Sequence, residues 1–99
     1  MNALIKDVLA FRDERNWKQY HDEKDLAISI VLEASELLEN FQWKTSKEAK
    51  ENDFQNIKEE MADVLIYLIQ LADKLDIDLE KEGLAKMVKN REKYPVMGK

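Results

Sequence analysis

Two stretches of this chain are apolar almost all the way round a helix. Between residues 26 and 38 the only polar side chains are Ser29, Glu33, Ser35 and Glu36. Between residues 61 and 72 they are Asp63, Tyr67 and Gln70. An ordinary surface helix has one apolar stripe and a broad polar face. Here the proportions are inverted, and each polar set runs as a narrow stripe at helical spacing: Ser29, Glu33, Glu36 and Asn40 on one segment, and Asn56, Glu60, Asp63, Tyr67 and Gln70 on the other. Such helices need apolar neighbours on several sides, more than 99 residues readily supply. The pattern therefore predicts a homo-oligomer in which the polar stripes face an internal cleft.

The rest of the chain fits an all-α domain spanning residues 1–99, a four-helix bundle-like unit completed by homo-oligomerisation. Gly occurs twice and Pro once, which leaves little room for hairpins or a glycine-rich phosphate loop. Helices are expected over about residues 3–20, 25–41 and 54–75. A fourth starts after an Asp78 N-cap and ends before Tyr94-Pro95, because a residue preceding proline avoids α geometry. Residues 44–53 read as a polar loop with a helical turn possible after Ser46.

Glu33 and Glu36 stand three residues apart, as do Glu60 and Asp63. Each pair shares a helical face, with Cβ atoms about 5–6 Å apart. If the helices pack antiparallel, four carboxylates converge. At an effective dielectric near 20, two unit charges ~5 Å apart repel by about 3 kcal/mol. Either some of these groups are protonated or a cation lies among them. The all-oxygen donor set favours Mg²⁺ or Mn²⁺ over zinc. Acidic pairs on charged helices usually mark solvated faces, but these two lie on helices otherwise apolar.

The absence of cysteine excludes disulfides, thiolate catalysis and Cys-based zinc sites. A net charge of −5 argues against binding a nucleic-acid polymer through a basic surface. No apolar run is long enough for a signal peptide or a membrane span, so a soluble cytoplasmic protein is the default expectation.

Glu33-x-x-Glu36, a gap of 23 residues and Glu60-x-x-Asp63 resemble the signature of the MazG-like all-α nucleoside triphosphate pyrophosphohydrolases. The likeness extends to residues 11–17, His21, residues 37–44 and 63–68, and Lys86-Met87-x-x-Asn90-Arg91-x-x-Tyr94-Pro95, which resemble the dCTP pyrophosphatase branch. One position departs: where the broader family often has the first Glu of Glu-Glu-x-x-Glu, this chain has Leu32, while Glu39 adds a carboxylate one turn after Glu36.

The resemblance implies cleavage of a (deoxy)nucleoside triphosphate to monophosphate and pyrophosphate by a helical dimer or dimer of dimers, with Glu33, Glu36, Glu60 and Asp63 holding Mg²⁺. Trp17 and Trp43 would then contact the base, although an arbitrary tryptophan more often packs in a core or an interface. His21 would border the base pocket. Tyr67 would lie near phosphate or sugar, and Lys44, Lys86 and Asn90 are further substrate contacts, with Arg91 and Lys93 weaker candidates. Two other readings compete. A di-iron carboxylate bundle would use Glu-x-x-His pairs, which these motifs lack. A non-enzymatic helical dimerisation module would make the acidic clusters incidental.

Overall fold

The computed structural model describes residues 1–97, and every regular element among them is helical. The chain forms α1 (Asn2–Glu14), a 3₁₀ turn (Trp17–Gln19), α2 (Glu23–Glu39), α3 (Ser46–Asn52), α4 (Phe54–Lys74) and α5 (Leu79–Lys93). The first helix stops earlier than its apolar spacing suggests. Asn16 takes a left-handed φ of 57° and turns the chain into the 3₁₀ segment, so Trp17 and Tyr20 lie outside α1. Asn is among the few residues that visit this conformation readily.

Side-chain caps set the other boundaries. Asp22 accepts from the Asp25 amide at 2.8 Å and begins α2. Thr45 and Glu48 form a reciprocal capping box, which makes a full helix α3 of the expected polar loop. The sequence signal was Thr-x-x-Glu. Asp78 caps α5 as predicted, accepting from the Lys81 amide at 3.1 Å. Between α4 and α5 the Ile77 amide reaches the Ala72 carbonyl at 2.8 Å and the Asp76 amide reaches Asp73 at 3.2 Å. This is a Schellman stop with Asp76 (φ 54°) in the place usually taken by glycine.

The body of the molecule is the antiparallel pair α2 and α4, and Leu26 of α2 and Ile69 of α4 are fully buried. α1 leans on α4 through Val8 and Arg12. The Arg12 guanidinium, 3% exposed, bonds Asp73 of α4 at 2.7 Å and its neighbour Asp13 at 2.9 Å. α3 packs against α4 around buried Ala49.

The described residues are all helical as expected, and within one copy the last helix stands apart from the rest. The Schellman stop sends α5 away from the body, it buries no residue, and it packs extensively on no other helix. The radius of gyration is 16.7 Å, against about 13 Å for a compact domain of this length. Large apolar side chains stay exposed on α2 (Ile28, Val31, Leu32, Leu38) and on α5 (Leu84, Met87, Val88). No helix among the described residues is long and apolar enough to cross a membrane.

Candidate metal centre and substrate cleft

The facing polar stripes meet as a seam between α2 and α4. Its register is fixed by a hydrogen bond from the Asn56 amide to the Asn40 side-chain oxygen, 2.7 Å long. Asn40 in turn donates to the carbonyls of Glu36 and Leu37. With Asn40 opposite Asn56, antiparallel stepping sets Glu36 against Glu60, Glu33 against Asp63, Ser29 against Tyr67 and Leu26 against Gln70.

The carboxylates converge as the stripes predict. Glu33, Glu36 and Glu60 each offer one oxygen, and these oxygens all lie within 4.8 Å of one another. The second motif's Asp63 stands just outside this trio, close enough for its charge to act on both Glu33 and Glu60. One oxygen of Glu33 and one of Glu60 are buried without a hydrogen-bond partner. Among the described residues, no Lys or Arg forms an ion pair with any of the four. Burial, then the neighbouring Glu36, Glu60 and Asp63, pushes the Glu33 carboxyl up to about 7. Burial also raises Glu60, with Glu36 and Asp63 adding to the rise and Glu33 opposing it. Orphaned oxygens, a hard donor set and mutual repulsion together fit a divalent cation such as Mg²⁺ or Mn²⁺. Glu39 lies exposed beyond the trio and Leu32 points away from it, 58% exposed.

A groove of about 690 Å³ lies between α1, α4 and the start of α5, on the side of α4 away from the carboxylates. Leu65, Leu68 and Ile69 line it and no motif carboxylate does. The chemistry lies at the seam.

Beyond Asp63 the seam continues to half-buried Tyr67 and then to the 3₁₀ segment. Trp17 meets Phe11 edge-on at 5.5 Å and His21 at 5.6 Å, while the Arg15 guanidinium covers the Phe11 ring at 3.6 Å. The Lys74 ammonium bonds the Lys18 carbonyl at 2.8 Å and pins this aromatic cluster to the C-terminal end of α4.

The remaining predicted contacts are elsewhere. Trp43 follows Asn40 at the other end of the seam, 95% exposed with a left-handed φ of 61°. The two tryptophans therefore lie at opposite ends of the α2–α4 pair, and one copy does not clasp a base between them. Lys44 is engaged by Asp53. Lys86 is exposed on α5, where the Asn90 amide contacts the Met87 sulfur at 3.8 Å. Gln70, the last member of the α4 stripe, is 6% exposed, and its oxygen has no partner. Its place in the stripe is readable from sequence, but its unsatisfied burial is not.

An all-α fold with a carboxylate seam of this spacing belongs to a defined class. The sequence pattern of the MazG-like family matches residues 28–99, and the chain belongs to that family. It is similar to dCTP pyrophosphatase 1 of Rattus norvegicus, 41% identical over 91 residues that cover 87% of this chain and 54% of the relative. The Homo sapiens dCTP pyrophosphatase 1 is likewise 41% identical, over 90 residues covering 86% and 53%. The chain thus spans about half the length of the curated relatives it matches. The crystal structure of a pyrophosphatase from Archaeoglobus fulgidus superposes with a TM-score of 0.90 at 44% identity, covering 97% of this chain and 93% of that one.

Proposed function

We propose that this chain hydrolyses (deoxy)nucleoside triphosphates to the monophosphate and pyrophosphate, with dCTP or a related deoxynucleotide as substrate. The observation that carries this reading is the trio Glu33, Glu36 and Glu60, brought within 4.8 Å with buried oxygens left unpartnered. The names of the relatives, dCTP pyrophosphatase 1 and pyrophosphatase, support it. So does family membership, which leaves the incidental-cluster reading without an advantage.

Glu33, Glu36, Glu60 and Asp63 would hold Mg²⁺, which when bound supplies charge neutralisation for the phosphates and a more acidic water. The protein's own part is to position the substrate and shield it from bulk solvent. Tyr67, one turn past Asp63, would contact the sugar, and Trp17 and His21 beyond it would contact the base. Trp43, Lys44, Lys86 and Asn90 serve the site only if other copies of the chain bring them to it.

That requirement and the bare apolar faces of α2 and α5 support a homo-oligomer. Sedimentation of the purified protein should give a dimer or larger, and Leu32→Lys should shift it toward monomer. A monomeric wild type would remove oligomerisation from the proposal. The test of function is a nucleotide panel with Mg²⁺, scoring pyrophosphate against orthophosphate. Pyrophosphate from one or more deoxynucleoside triphosphates is expected. Orthophosphate alone, or no turnover, would sink the assignment.

A further inference from the structure

We propose that Gln70 is a base-binding residue that bonds the hydrogen-bonding edge of the nucleobase, with the seam between α2 and α4 acting as a ruler that carries phosphates at one end and base at the other. This rests on the nucleotide reading of the carboxylate site above.

Gln70 follows Asp63 by seven residues, which is two turns less about 20° and a rise of about 10 Å on nearly the same line of the helix. A nucleoside reaches a comparable distance from its phosphates, and Tyr67 stands between the two ends. Among the described residues, nothing satisfies the far end. The Gln70 oxygen is buried and unpartnered, and so is Nδ1 of His21. Both belong to the same region, because the segment carrying His21 is tied to α4 one turn past Gln70. Lys74 holds the Lys18 carbonyl at 2.8 Å, and Asp73 takes Arg12 at 2.7 Å and Lys18 at 3.9 Å. Trp17 lies tilted against His21, ring centres 5.6 Å apart, and adds an aromatic face to this end.

Buried polar atoms in native proteins almost always have partners. Two orphans at the same end of a polar seam therefore mark a place for a polar ligand edge. A carboxamide suits that role, with an acceptor oxygen and a two-proton donor side by side. Cytosine offers an amino donor next to a ring-nitrogen acceptor, and uracil a carbonyl acceptor next to an N–H donor. The amide meets either by turning over, so it demands a pairing edge. A glutamate at the same place would only accept, and so would favour the amino-bearing base.

The experiment compares wild type, Gln70→Leu and Gln70→Glu in two assays. One measures kcat/KM for dCTP and dUTP from pyrophosphate release. The other measures calorimetric binding of dCMP and dUMP without divalent metal. Q70L should raise KM and weaken binding of both monophosphates about tenfold or more, since a site built to bond a polar edge is left unpaired. Q70E should shift the dCTP-to-dUTP ratio at least tenfold toward dCTP. An unchanged ratio in Q70E, with unchanged monophosphate binding in Q70L, would overturn the assignment. If the wild type releases no pyrophosphate, the functional reading fails by itself and monophosphate binding still decides Gln70. Should Q70L fail to fold, Q70E, which keeps the side-chain length, carries the test.

Discussion

Consider Glu33→Gln in the metal-free protein. Glu33 is raised from the ordinary 4.5 to about 7, first by burial and then by Glu36, Glu60 and Asp63. A carboxyl raised on folding leaves the protein most stable below its unfolded value. That stability is lost as pH climbs from 4.5 through about 7. At about 1.4 kcal/mol for each pH unit the full rise corresponds to roughly 3 kcal/mol. Solvent reaches part of the Glu33 side chain, so screening brings this to about 1–2 kcal/mol. The amide keeps the shape and cannot ionise, so the variant escapes the loss. At pH 8 without metal it should melt roughly 4–16 °C above wild type, using about 4–8 °C per kcal/mol for a domain of this size. At pH 4.5 the two should coincide. Millimolar Mg²⁺ should raise the wild type's melting temperature at pH 8 and have much less effect on the variant. Equal melting temperatures at pH 8 without metal would refute the picture of carboxylates held together against their repulsion.

Three other outcomes follow from the geometry. Asp63→Asn should abolish pyrophosphate release with Mg²⁺ while leaving the helical circular dichroism intact; retained turnover would remove Asp63 from the metal set. Arg12→Ala leaves part-exposed Asp73 with Lys18 at 3.9 Å as its remaining partner, and loss of a hydrogen bond to a charged group costs about 1.5–3 kcal/mol, read as a lower urea midpoint. A midpoint near wild type would show that α1 is held by apolar contacts alone. Asp76→Gly puts the conformationally free residue at the left-handed position of the Schellman stop and should stabilise by about 1 kcal/mol, seen as a higher melting temperature. A decrease would mean the Asp side chain contributes more than the strain it bears.

The seam was legible in the sequence because helical periodicity is local. Glu33, Glu36, Glu60 and Asp63 could be placed on facing stripes by counting residues, and Asn40 and Asn56 fell into line with them. Asp78 was readable for the same reason, since a cap needs only its own next turn. The end of α1 was not, because its apolar spacing runs past Asn16 and nothing in that spacing announces a left-handed residue. α3 was under-read, its Thr45–Glu48 box lying inside a stretch too polar to show any periodicity. The position of α5 is a tertiary fact. Leu84, Met87 and Val88 mark an apolar stripe, but a stripe does not say which molecule covers it. The placement of Trp17 and Trp43 at opposite ends of one helix pair was hidden likewise, since it depends on how α2 and α4 are paired.

The detachment of α5 has a consequence for amide hydrogen exchange. A 15-residue helix that packs extensively on no other described helix is at the margin of what survives alone in water. In the homo-oligomer proposed above, its backbone protection would come from another copy and would rise with protein concentration. Protection at Leu26 and Ile69, buried within one copy, would answer mainly to events within one chain. Dilution would thus divide the molecule into a part that keeps its own hydrogen bonds and a part that borrows them.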